Sequence, residues 1–230
     1  MQHPMILAAV ATVLVSACGG GNGGSGGAAV ASPPVIAPTI QAGPTVPIEA
    51  AISSLYASAH TFNRTETDPR NGNIYNVAAD FIVGADAIVD GLSVKSSNVV
   101  RAITKNGAPF QSSSEIRYFS LNPYRLIGIQ SRDSSLYLAA SGQVPLPATG
   151  KPGDAGVFYS ATTYDSVGKN IVLSTETQRW TIDADTPTTV RFCINSVTSI
   201  ATVAGNVSKS DCYKIDSQGN VVGIGFTVPG

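Results

Sequence analysis

The stretch Tyr75-Asn76-Val77-Ala78-Ala79-Asp80-Phe81-Ile82-Val83 decides the fold class. Tyr75, Val77, Ala79, Phe81 and Val83 occupy every second position, and in an extended chain that places them on one face of a half-buried strand. Just downstream, Asp90-Gly91 lies between Ala87-Ile88-Val89 and Leu92-Ser93-Val94. A two-residue Asp-Gly link between apolar runs signals a hairpin, because the tight turn needs positive φ at both positions. Residues 99–104 then lead into Asn106-Gly107, a second such link.

Working outward toward the C-terminus, the same grammar repeats. Residues 115–121 and 124–130 flank Asn122-Pro123, and residues 136–138 form a short strand before a Pro/Gly-rich loop at 142–156. The last third reads as a meander of strands at 157–164, 171–182, 189–195, 211–216 and 221–228. Turns at 165–168, 183–187 and 217–220 separate most of them. Toward the N-terminus, 65–72 reads as a turn-rich stretch. Before it, Ile48, Ala51, Ile52, Leu55, Tyr56 and Ala59 fall three and four apart, the spacing of one helix face, with Pro47 suited to a helix start. The expectation is a mainly β domain: an antiparallel sandwich or a curved barrel-like sheet, with one N-terminal helix before the sheet.

The first 47 residues are of another kind. Met5 to Val15 is uncharged, with Thr12 its only polar side chain, and is too short to span a bilayer, which takes about 20 residues. It ends in Val15-Ser16-Ala17-Cys18, followed by a run of glycines. This resembles the lipobox of bacterial lipoproteins, although Met1 to Pro4 carries no Lys or Arg. The resemblance implies that 1–17 is a signal peptide and that Cys18 is lipidated, with palmitate among its acyl chains, and becomes the mature N-terminus. Each buried methylene contributes about 0.8 kcal/mol, so several chains on one cysteine make a lasting anchor. Gly19, which is not Asp, implies sorting to the outer membrane, with the domain facing either the periplasm or the cell surface.

From Gly19 to Pro47 there is no Asp, Glu, Lys or Arg. A glycine-rich start and five prolines after it make residues 18–47 a lipidated cysteine plus tether, spanning on the order of 30 Å as a flexible coil. Residues 48–230 remain as a single β-rich domain. Its charge is sparse, with a net charge of −1 for the whole chain, so there is no basic patch for nucleic acid.

Export leaves Cys193 and Cys212 where disulfides persist. Val190, Phe192 and Ile194 share one strand face, leaving Cys193 on the other, and Tyr213 and Ile215 leave Cys212 opposite them. Antiparallel pairing with Cys193 facing Cys212 then brings Phe192 against Tyr213 on the buried side. A structural disulfide closing a loop of about 20 residues fits better than a redox pair, which usually has Cys-X-X-Cys spacing.

Catalytic, metal and cofactor signals are missing. Beyond the signal His60 is the only histidine, no Gly-X-Ser-X-Gly elbow accompanies it, and its place at the helix end suits a C-terminal cap. Asp183-X-Asp185 reads as a turn, Asp80 as a residue on the polar face of its strand, and Glu176 with Arg179 as an exposed edge or surface pair of opposite parity. Trp180, Phe158, Tyr159 and Tyr164 read as core. Gly223-Ile224-Gly225 lies in a terminal strand and not at a phosphate-binding turn. The functional expectation is a non-enzymatic envelope lipoprotein. It binds the membrane through its anchor, and its domain takes a ligand or a protein partner at the membrane surface. The alternatives are lipid or hydrophobic-cargo handling, since a helix leading into a curved sheet resembles lipid-handling periplasmic domains at the level of fold alone, and a carboxylate-dependent enzyme.

Overall fold

The computed structural model describes residues 43–200 and 206–225, all within one compact unit, Ile40–Gly230. Residues 1–17, expected to be a signal peptide, Cys18 and most of the expected tether lie outside the described residues. The unit begins ahead of the expected Ile48: Val46 is fully buried and bridges to Gly150, with N···O distances of 2.8 and 2.9 Å in the two directions.

Helix α1 (Ile48–Ala57) is followed by β1 (His60–Thr67), β2 (Ile74–Val83), β3 (Ala87–Val89), β4 (Leu92–Lys105), β5 (Ala108–Ser120) and β6 (Arg125–Ser131). Next come β7 (Tyr137–Ser141), β8 (Ala155–Tyr164), β9 (Val172–Thr186), β10 (Thr189–Ile200), β11 (Asn206–Asp216) and β12 (Val221–Gly225). Each strand pairs antiparallel with the next in the order β1-β2-β4-β5-β6-β7-β8-β9-β10-β11-β12, while β3 pairs only with β4. The sheet curls into a nearly closed barrel, and Arg64 on β1 donates from Nη1 to the Ile224 carbonyl on β12 at 3.0 Å across the seam. Of the two expected architectures, the structure is the barrel-like one.

The quoted stretch forms β2 with Tyr75, Val77, Ala79 and Phe81 buried, while Val83 at its end is exposed. Asp90 and Gly91, and Asn106 and Gly107, all have positive φ, as the two hairpin links require. Two differences stand out. Residues 60–67 form a strand that was not read in the sequence, its last three residues falling in the stretch at 65–72 expected to be turn-rich. Asp183 to Thr186 continue β9, so the turn is confined to Pro187 and Thr188.

Because neighbouring strands alternate in direction, the connections sort to two poles. One pole carries the β5–β6, β7–β8, β9–β10 and β11–β12 links and the entry of α1. The helix closes that pole: Ile48, Ala51, Ile52 and Leu55 have 0 % exposure and Tyr56 has 1 %. They pack against Phe81, Phe119, Tyr124, Leu126, Phe158 and other inward side chains. Glu49 fastens the helix, its Oε1 accepting from the Tyr124 backbone N–H at 3.0 Å, and its own N–H donating to the Pro147 carbonyl at 3.2 Å. The other pole carries the β1–β2, β4–β5, β6–β7 and β8–β9 links. No helix among the described residues is long and apolar enough to cross a membrane. The outward positions of β9 from Thr175 onward read Thr175, Thr177, Arg179, Thr181 and Asp183, a polar face on that strand.

Candidate functional site

Toward the second pole the apolar filling stops and the barrel interior becomes a cleft. Its larger lobe has a volume of about 650 Å³ and its walls combine aliphatic side chains (Val77, Ile103, Ile224) with Arg101, Lys209, Asp211 and several serines. A smaller lobe of about 240 Å³ runs to Glu115, Arg117, Tyr159, Glu176 and Gln178. Ser113, Ser196, Lys209 and Asp211 line both lobes. Mixed walls of this size are typical of small-molecule sites, which run to roughly 300–1,000 Å³.

Alternation on four strands delivers the charged groups. Arg101 lies on β4, Glu115 and Arg117 on β5, Glu176 and Gln178 on β9, and Lys209, Asp211 and Tyr213 on β11. At the base of the cleft Arg117, 9 % exposed at its side chain, donates from Nε to Glu115 Oε1 at 2.6 Å and from Nη1 to the Tyr56 hydroxyl at 2.7 Å. The guanidinium also stands 5.0 Å from the Tyr56 ring centroid, a cation–π contact. The Tyr56 and Tyr213 hydroxyls lie 3.0 Å apart. Arg101 continues the chain to Asp211 Oδ1 at 3.2 Å, and Lys209 Nζ reaches Asp211 Oδ2 at 3.1 Å. The helix plug is thus tied to the cleft by one hydrogen-bonded network.

Electrostatics fix the charge state of this network. Burial alone would raise the Asp211 carboxyl, but Arg101 and then Lys209 outweigh it, and its pKa falls to about 2. Burial acts the same way on Glu115, and Arg117 and Arg101 again outweigh it, leaving the carboxyl below its ordinary value. Desolvation weakens the protonated form of Arg117, yet Glu115 and Tyr56 hold its pKa well above the usual guanidinium value. Burial pushes the Tyr56 hydroxyl well up, so it stays protonated and neutral. Glu115 and Asp211 are therefore ionised acceptors at neutral pH. A carboxylate acid catalyst needs the opposite shift.

The residues singled out in the sequence fall as follows. Cys18 lies outside the described residues. Cys193 and Cys212 face each other across β10 and β11 and are disulfide-bonded, with Phe192 opposite Tyr213 on the buried side. His60 Nε2 lies 3.2 Å from the Ser54 carbonyl in the last turn of α1, and the ring stacks on Phe62. Asp183 pairs with Arg191 at 3.2 Å, and Asp185 with Lys214 at 3.1 Å. Asp80 accepts from Thr61 Oγ1 at 2.8 Å. Phe158, Tyr159 and Trp180 are core residues, and Tyr159 also lines the smaller lobe, whereas Tyr164 is only half-buried. Gly223-Ile224-Gly225 is strand β12.

One expectation is corrected. Glu176 and Arg179 are not a surface pair: opposite parity sends Arg179 outward, while Glu176 turns into the smaller lobe. No group of three or more His, Cys, Asp or Glu side chains among the described residues is placed to hold a metal ion. Arg101, Glu115, Arg117, Lys209 and Asp211 did not stand out in the sequence. The available signal was arginine and acidic residues at inward positions of otherwise apolar strands, as in Glu115-Ile116-Arg117-Tyr118-Phe119. No protein-family model, curated protein or solved structure matches the chain.

Proposed function

We propose that this protein is a lipid-anchored envelope protein whose barrel binds a small ligand with an apolar body and charged groups. The carrying observation is the cleft of about 650 Å³, in which Arg101, Asp211 and Lys209 already hold one another beside aliphatic walls. Charges oriented before binding need no reorganisation when a ligand arrives, and that lowers the free-energy cost of association. The anchored location rests on the lipobox resemblance at Cys18.

Geometry weakens the reading of a purely apolar cargo held between helix and sheet. There the apolar side chains are packed against one another, and the open space lies at the other pole beside the charged groups. Native mass spectrometry of the full chain, purified from its host in mild detergent, tests the proposal. The expected spectrum shows a small bound molecule in the wild type and none in Ser113→Trp, which fills the passage between the lobes. A bare wild type, or an adduct that survives Ser113→Trp, would overturn the cleft reading. A diacyl lipid adduct would move the assignment to cargo handling.

A further inference from the structure

Resting on the reading of the cleft as a ligand site, we infer that its ligand is a zwitterion of amino-acid or short-peptide size. Its ammonium group sits on Glu176 and its carboxylate between Arg101 and Lys209. The two lobes are charged in opposite senses. In the smaller lobe Glu115, Glu176 and Asp211 face Arg117 and Lys209; in the larger lobe Arg101 and Lys209 face Asp211 alone.

Internal pairing sharpens that difference. Arg117 is occupied by Glu115 at 2.6 Å and by the Tyr56 hydroxyl at 2.7 Å. Asp211 is shared between two cations, so neither Arg101 nor Lys209 has a carboxylate to itself. Glu176 makes no ion pair among the described residues. Its Oε1 accepts from Gln178 Nε2 at 2.7 Å and its Oε2 from Thr198 Oγ1 at 3.3 Å. These neutral donors aim the carboxylate into the lobe and leave its charge uncompensated.

A charge that a ligand covers on binding is tolerated when it meets an opposite one with hydrogen bonds to match. A simple anion suits Arg101 and Lys209 but leaves Glu176 unmet, and a simple cation does the reverse. A molecule with an ammonium at one end and a carboxylate at the other satisfies both lobes. Val77, Ile103 and Ile224 supply an aliphatic surface for the body between them. The lobe volumes, about 650 and 240 Å³, accommodate an amino acid or a short peptide.

Calorimetric titration of the full chain in mild detergent with L-leucine, leucyl-leucine, N-acetyl-leucyl-leucine and leucyl-leucinamide tests this. At least one of the two free zwitterions binds, and leucyl-leucine weakens at least tenfold on capping either end. Glu176→Gln, which keeps the bond to Thr198, imposes the same penalty on leucyl-leucine and none on its acetylated form. Failure of both free zwitterions to bind, or equal affinity for the acetylated dipeptide, overturns the inference. If a small molecule still co-purifies in the cleft, the ligand-site reading survives that failure; if none does, both fall.

Discussion

At Asp211 one carboxylate meets two cations, 3.2 Å from Arg101 and 3.1 Å from Lys209, with its side chain 26 % exposed. Its pKa of about 2 in the folded protein lies below the ordinary aspartate value of 3.8. Such a group stabilises the fold fully above the unfolded value, and that contribution disappears as pH falls from about 4 to about 2. By linkage the depression corresponds to roughly 2 kcal/mol. Urea unfolding should therefore show Asp211→Asn clearly less stable than the wild type at pH 7, with the gap narrowing below pH 4. A gap that stays constant down to pH 2 would contradict this role. The network around Asp211 was not legible in the sequence, because its members come from three separate strands and a helix. The cysteine pair was legible, because alternation within two short segments put both thiols on the face opposite the apolar side chains, and the structure supplies the register that joins them.

At the level of elements, the sequence showed strands wherever one face is apolar and lost them where neither face is. The strands read at 115–121, 189–195 and 211–216 are the closed-pole halves of β5, β10 and β11. Their other halves, including Gln111-Ser112-Ser113-Ser114, Ser196 to Ser199 and Ser208-Lys209-Ser210, run along the cleft and are mostly polar on both faces, Val197 being an isolated outward exception. Period two is invisible in hydropathy when both faces are polar. Likewise, β1 escaped because Phe62 is its only apolar member. The shortened strands mark the place where the barrel stops being filled and starts to be a site. Between β10 and β11, the Cys193–Cys212 bond closes a loop with a sequence separation of 19 residues. In the chain-entropy model it contributes about 3 kcal/mol. The double variant Cys193→Ala, Cys212→Ala should lower the urea midpoint accordingly, and a reductant should then have no further effect. An unchanged midpoint in the double variant would rule out this stabilising role.

For the molecule as a whole, the anchor reading rests on the lipobox resemblance alone. Cys18→Ser should abolish incorporation of radiolabelled palmitate in a lipoprotein-competent host and release the protein from the membrane fraction. A wild type that takes up no label, or a mature N-terminus mapped elsewhere, would remove the anchor from the account. The barrel itself has separate halves with separate tasks: α1 and the aromatic cluster fill one, and the charged cleft occupies the other. The first described residue, Gly43, lies beside Pro152 and Val190, and Pro47 beside Gly219, all at the helix-closed end. The domain is therefore a cup that the described chain enters at its base. Grafting it by its N-terminus to a bead or a sensor surface leaves the rim clear for solutes.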